Sequence, residues 1–327
     1  MDLPELAIAA LGGTVSMQAR NAGEAVIPTV SGETLLASVP ELTTLARVSV
    51  ETLGLLPSAS LSFEFLLGVL SWAKDQIAQG VIGVVITQGT DTLEETALFF
   101  EYLWDHQEPL VLTGAMRSAK QAGAEGPANL LDACRVALAD NSRQRGVQVV
   151  MNGEIHEARY VRKTDSLALH AFSSPVFGPT GLLVEGVVRY LRQPTPRMLL
   201  PLPQHTTQNV AMLEASLSAD TLLLDSILEL GYDGLVIAGF GAGHLSEHWA
   251  CAIERIAQRI PVIVATRTGS GSTAQSSYGF IGGEVDLSRK GALMAGFLCP
   301  RKARILLWLL LGSQRENELA RYLNNTA

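Results

Sequence analysis

The stretches GVIGVVIT (80–87), LVLTG (110–114) and GVQVVMN (146–152) are apolar almost without interruption. A strand with one wet face alternates apolar and polar residues, whereas a continuously apolar strand needs cover on both faces. Between these runs lie segments with helical patterning, DTLEETALFFEYL (91–103) and GPANLLDACRVALAD (126–140). Short buried strands separated by helices imply a parallel sheet sandwiched between helical layers. LAIAAL (6–11) reads as a further strand, followed at once by Gly12 and Gly13.

The rhythm breaks at RQPTPRMLLPLPQHTTQ (192–208), whose four prolines cannot sit inside helices or central strands. It resumes with a helix near 219–230, a strand at GLVIAGF (234–240), a helix at 246–259 and a strand at PVIVAT (261–266). A helix at 300–312 and a terminal helix complete the chain. The expected fold is α/β in two domains. The N-terminal domain, 1–190, is the larger, with a doubly wound, mostly parallel sheet. A proline-rich linker covers 191–210, and a smaller C-terminal α/β domain covers 211–327.

Composition excludes more than it selects. A net charge of -8 argues against nucleic acid or an anionic membrane as partner. Cys134, Cys251 and Cys299 are far apart and odd in number, so neither a disulfide framework nor a CxxC metal pair is expected, and a reducing compartment fits. MDLPELAIAALGG lacks the basic start of a signal peptide. ARILLWLLLG (303–312) is about half the length of a membrane span and reads as a buried helix. A cytoplasmic protein with no membrane partner is expected.

In an open parallel sheet, ligands bind beyond the carboxyl ends of the strands. Two strands deliver hydroxyls to that edge. ALGGTVS (10–16) brings Gly12, Gly13 and Thr14; TQGTDTLEET (87–96) brings Thr87, Thr90, Asp91 and Thr92. GGT has neither the spacing of the dinucleotide fingerprint nor the lysine of the phosphate loop. A threonine hydroxyl is a poor nucleophile unless a base lies beside it and backbone N–H groups hold the oxyanion. A lysine whose pKa is tuned by burial or a neighbour is one such base. EARYVRKTDS (157–166) supplies Lys163, although sequence alone does not bring it to Thr90. Either Thr92 or Asp91 is expected to cap the following helix, with Glu94 and Glu95 complementing its N-terminus. HLSEH (244–248) matches an inverted zinc-protease motif in form, but Ser246 reads as a helix N-cap, which leaves His244 ahead of the helix, and no metal is expected.

Several segments occur in order along the chain: LGGTVS, TQGTDTLEETALFF, LTGAMRSA, GPANLLDA, EIHEARYVRKTDSLALHAFSSP, YGFIGGEVDL and KARILL. Together they resemble the bacterial-type L-asparaginase/glutaminase family over nearly the whole chain. The resemblance implies an amidohydrolase that converts L-asparagine to L-aspartate and ammonia through a threonine acyl-enzyme, with glutamine as a further candidate and no cofactor. It implies Thr14 as nucleophile and Thr90, Asp91 and Lys163 as a hydrogen-bonded triad with Lys163 accepting the proton. Gly13, Ser58, Ala59, Gly89, Ala115 and His244 become the substrate-binding positions. Among them, the Gly13 and Thr90 N–H groups form the oxyanion hole, Ser58 takes the α-carboxylate, and Ala115 presents its carbonyl to the leaving amide. Asp91 also meets the α-amino group. A homodimer or homotetramer is implied, because in the family a second subunit closes the site.

The chain departs from the family pattern at four places. MQARNAGEAVIPT (17–29) lacks the loop tyrosine, Ala59 stands where a glutamine or charged residue is frequent, His244 replaces an asparagine, and STAQSSYGF (272–280) has no glutamate. Two alternatives follow: a hydrolase of another small amide, D-amino-acid or N-substituted, and a non-catalytic amino-acid sensor.

Overall fold

The computed structural model describes residues 3–13, 17–18, 27–28 and 31–324, which fall into two compact units, Met1–Leu199 and Leu200–Ala327. In the first unit five strands run parallel: β1 (Glu5–Ala10), β2 (Arg47–Thr52), β3 (Val84–Thr87), β4 (Leu110–Thr113) and β5 (Val147–Met151). The chain then turns back through β6 (Glu154–Glu157), makes a separate ribbon from β7 (Arg162–Lys163) and β8 (Phe172–Ser173), and finishes the sheet with β9 (Gly181–Val184) and β10 (Val187–Tyr190). The spatial order is β10-β9-β6-β5-β4-β3-β1-β2, with the last three strands of this sheet, β6, β9 and β10, joined antiparallel. The expected α/β class and mostly parallel larger sheet are present.

Continuous apolarity works as read. Leu6, Ile8 and Ala10 of β1 point to one face, where Val85 and Val111 join them against Leu130, Ala133 and Ala137 of helix α3 (Gly126–Leu138). Ala7 and Ala9 point the other way and are equally buried. On that side lie α1 (Phe63–Ala78) and α2 (Leu93–Leu103), against β1 and β3 and against β4 and β5. Each large aliphatic side chain enclosed in this way contributes about 1.5–3 kcal/mol.

Some expectations fail at their edges. β3 starts at Val84 rather than at 80, because Gly80 (φ 99°) closes the end of α1. β2 was not expected: RVSVET alternates between exposed and half-buried positions, as an edge strand does, and offers no apolar run.

The second unit is a parallel sheet of β11 (Val210–Glu214), β12 (Gly234–Gly239), β13 (Val262–Thr266) and β14 (Leu293–Met294). The helix expected over 219–230 shrinks to α4 (Leu222–Ser226), since Ser218 (φ 59°) and Gly231 (φ 74°) bend the chain on either side. Helix α5 (Glu247–Ala257), the short α6 (Glu284–Arg289) and α7 (Pro300–Gly312) follow. Leu306, Leu307, Leu309 and Leu310 of α7 are fully buried, as the apolar run required. Among the described residues no helix is long and apolar enough to cross a membrane.

The order β2-β1-β3-β4-β5 has a topological switch between β1 and β3. The connections leaving these neighbours run to opposite sides of the sheet, which opens a crevice beyond their carboxyl ends.

Candidate active site

Both hydroxyl-bearing turns emerge at that switch. Leu11 N–H donates to the Thr87 carbonyl at 2.9 Å, continuing the ladder one residue past β1. Gly13 then adopts φ 81°, and a Cβ built on it would lie 2.1 Å from both N and Cα of Gly89. The two turns therefore touch backbone to backbone, a fit that only glycine permits. Thr14 lies outside the described residues, as do the side chains of the 17–29 loop.

After β3 the chain makes one 3₁₀ turn, Thr90–Thr92, before entering α2. The Lys163 amine donates to Thr90 Oγ1 at 3.0 Å and to Asp91 Oδ1 at 2.6 Å, although it lies 73 and 72 residues further along the chain. Thr90 is buried, the Lys163 side chain is mostly enclosed, and that of Asp91 is 70% exposed, so the ion pair spans the solvent boundary. Its Coulomb attraction is screened, and its main effect is geometric. As an ammonium, Lys163 donates to both partners. As a neutral amine in the same place, it accepts the Thr90 hydroxyl proton.

What carries Lys163 there is also visible. β7 pairs with β8 through Lys163 and Phe172. The Lys163 backbone N–H donates to Glu94 Oε2 at 2.5 Å, and Glu94 is 1% exposed. Two carboxylates of one helical entry thus hold one residue: Glu94 its backbone and Asp91 its amine. The expected cap is absent, since neither Thr92 nor Asp91 makes a side-chain capping bond to α2. The 3₁₀ turn aims Asp91 at Lys163 and the Thr92 hydroxyl at the Ser58 carbonyl, 3.0 Å away.

The other sequence-derived positions divide into two groups. Ser58 is buried in a single 3₁₀ turn, Ser58–Ser60, while Ala59 beside it is exposed. Gly89 is buried against Ser58, whose Oγ would lie 2.8 Å from a Cβ added there. Ala115 is fully buried just after β4, and the preceding Gly114 carbonyl accepts from Asn129 Nδ2 at 3.0 Å. These residues adjoin the β1–β3 switch. His244 belongs to the second unit. Ser246 caps α5 through the Trp249 N–H, so His244 precedes the helix as read, and its Nε2 lies 3.4 Å from Oε2 of the fully buried Glu284. Tyr278 and Phe280 meet its ring edge to face. Among the described residues no group of three or more His, Cys, Asp or Glu is placed to hold a metal ion.

Three residues of this region have roles that the sequence does not reveal. By sequence Glu94 reads as a first-turn charge; its place one turn after Thr90 on a buried helix is the available signal. Gln88 is fully buried and donates to Thr92 Oγ1 at 3.2 Å and to Thr96 Oγ1 at 3.0 Å. Asn129, polar within the buried face of α3, also accepts the Asn152 N–H at 2.9 Å.

A switch-point cleft in which one amine contacts both a hydroxyl and a carboxylate fits a hydrolytic α/β enzyme. Comparison with known proteins narrows that class. The family description "Asparaginase, N-terminal" matches residues 5–196, and "Glutaminase/Asparaginase C-terminal domain" matches residues 209–323. The chain is 34% identical over 323 residues to the "Probable L-asparaginase periplasmic" of Haemophilus influenzae, covering 96% of this chain and 90% of that protein. It is 32% identical to the "Glutaminase-asparaginase" of Pseudomonas fluorescens biotype A, covering 97% and 88%. The crystal structure of a "Probable Cytoplasmic L-asparaginase" from Campylobacter jejuni superposes with a TM-score of 0.89 at 30% identity, covering 98% of this chain and 99% of that one. The chain belongs to the bacterial-type L-asparaginase/glutaminase family, and it is an amidohydrolase by that membership.

Proposed function

We propose that this enzyme hydrolyses L-asparagine to L-aspartate and ammonia, with glutamine as a second substrate, through an acyl-enzyme on a threonine. Thr14 Oγ attacks the side-chain amide carbon, and the Gly13 and Thr90 N–H groups stabilise the oxyanion. The Thr14 hydroxyl proton passes to the amide nitrogen, the C–N bond breaks, ammonia departs, and a Thr14 ester remains. Water then adds to the ester, with Lys163 taking its proton through Thr90 and returning it to Thr14 Oγ as the ester C–O bond breaks, and aspartate leaves with Thr14 restored. Ser58 receives the α-carboxylate, Asp91 the α-amino group, and Ala115 turns its carbonyl to the leaving amide; Ala59 and Gly89 complete the wall. In this reading the enzyme works as a homodimer or homotetramer, with His244 reaching the substrate's edge from a partner copy. The free state of Cys134, Cys251 and Cys299 supports work in the reducing cytoplasm.

The observation that carries the reading is the contact of the Lys163 amine with both Thr90 Oγ1 and Asp91 Oδ1. Thr90→Val and Lys163→Met should each lower ammonia release from asparagine by about 10²–10⁴-fold, the range of a proton-transfer group. Unchanged release in either variant would overturn it. A second reading, hydrolysis of another small amide, is favoured by the apolar Ala59 beside Ser58. A panel of D-amino-acid, N-substituted and L-amides assayed for ammonia separates the two.

A further inference from the structure

Thr92 occupies the N-cap position of α2 and carries a favoured capping side chain, yet it makes no capping bond. Its hydroxyl hydrogen goes instead to the Ser58 carbonyl at 3.0 Å. With that hydrogen committed, Thr92 Oγ1 faces Gln88 only as an acceptor, and this fixes which end of the Gln88 amide points at it. The Gln88 NH₂ group supplies both its hydrogens, to Thr92 Oγ1 at 3.2 Å and to Thr96 Oγ1 at 3.0 Å. Gln88 is fully buried, so this amide has no rotamer freedom to spare. A directed chain runs from the core through Thr92 to the backbone of Ser58.

Ser58 needs such a tether. Leu55, Leu56, Pro57, Ala59 and Ser60 around it are all exposed, and its own turn is one residue triplet long. Within that exposed segment Ser58 alone is buried, packed with its Oγ against Gly89.

We propose that Thr92 is a positioning residue for substrate binding: through its hydrogen bond to the Ser58 carbonyl it sets where the Ser58 hydroxyl meets a ligand carboxylate. This deepens, and rests on, the reading of Ser58 as the α-carboxylate contact. Thr92 directly follows Asp91 in the turn Thr90–Thr92, so one turn supplies groups for chemistry and for head-group registration. Thr92→Val keeps the shape and removes the donor. It should weaken L-aspartate binding and raise KM for asparagine about five- to tenfold, the size of one net hydrogen bond. kcat should stay within about twofold, a split that general loosening of the fold does not produce. Thr92→Ser retains the hydroxyl and should return both constants towards wild type.

The decisive experiment is a double-mutant cycle on L-aspartate affinity, measured by calorimetry, with Ser58→Ala as the second substitution. Thr92→Val should cost little in the Ser58→Ala background, because its effect runs through Ser58. Ser58→Ala that weakens aspartate while Thr92→Val leaves it unchanged would overturn the inference, as would two fully additive losses. Ser58→Ala with unaltered affinity would remove the ligand role of Ser58 itself, and the inference with it.

Discussion

Gly13→Ala tests the backbone contact on which the cleft depends. The new Cβ meets Gly89 N and Cα at 2.1 Å and the Gln88 carbonyl carbon at 2.9 Å. Ordinary contact begins near 3.4 Å, so the turns after β1 and β3 must part by more than about 1 Å. All three obstructing atoms are backbone, so no side chain can swing aside. The φ of 81° adds a left-handed strain of about 1–2 kcal/mol for an alanine. Overpacking adds about 1–3 kcal/mol. A total of about 2–5 kcal/mol corresponds to a fall in Tm of roughly 4–20 °C for a unit of this size. The functional effect should be larger than the thermal one. Gly13 and Thr90 supply the proposed oxyanion donors from the two turns being forced apart, and a 1 Å misplacement costs on the order of 10²-fold in rate. Tm by calorimetry and kcat/KM by ammonia release measure both. A Gly13→Ala protein with Tm within about 2 °C and kcat/KM within about threefold of wild type would refute the contact.

Other expectations follow from residues further into the structure. Glu94→Leu removes the acceptor for the Lys163 N–H and should cost about 1–3 kcal/mol of stability, with a larger loss of kcat than Glu94→Gln, which keeps an acceptor oxygen; urea unfolding and ammonia release check this. Burial pushes the Tyr190 phenol up to about 12 from 10.0, against the Ser142, Arg145 and Gln148 contacts that favour its ionised form. A raised pKa means the folded state keeps the proton longer, so this stabilising share is complete below pH 10 and disappears as pH rises towards about 12. Tyr190→Phe should therefore flatten the alkaline fall in stability by on the order of 2–3 kcal/mol, read from urea midpoints between pH 9 and about 12. Cys251 is exposed, whereas Cys134 and Cys299 are buried and burial drives the Cys134 thiol far up. A thiol reagent should titrate one cysteine rapidly in the native protein and three in denaturant.

The sheet was legible where burial on both faces wrote itself into a run of apolar residues, as at β3, β4, β5, β12 and β13. It was illegible where a strand lies at an edge or pairs antiparallel, because half-burial leaves residues such as Arg47, Glu51 and Arg189 in place. α4 shows the converse error. Leu222 and Leu223 complete a helical apolar pattern yet face solvent, since the bends at Ser218 and Gly231 limit the helix before it can use them.

The site divides along a different line. A strand end followed by glycine and hydroxyls announces a ligand edge locally, so Gly13, Thr90 and Asp91 could be suspected from their own neighbourhoods. Lys163 could not, because what brings it in is β7–β8 pairing and an acceptor on a distant helix, and neither leaves a mark near residue 163. The same holds for the polar residues of 87–96 that never touch a ligand. Composition makes Thr92 a cap and Glu94 a dipole partner, the commonest uses of those side chains at a helix entry. Each is diverted to the backbone of a second chain segment: Thr92 donates to the Ser58 carbonyl at 3.0 Å, which also accepts the Leu61 N–H at 3.2 Å, and Glu94 accepts the Lys163 N–H. A buried backbone group without a partner costs more than a missing cap, about 1–3 kcal/mol against about 1. For Glu94 that inequality decides which bond forms; the Thr92 hydroxyl adds a second donor to the Ser58 carbonyl, and together the two bonds make one helical entry the common anchor for the serine, the threonine and the lysine of the cleft.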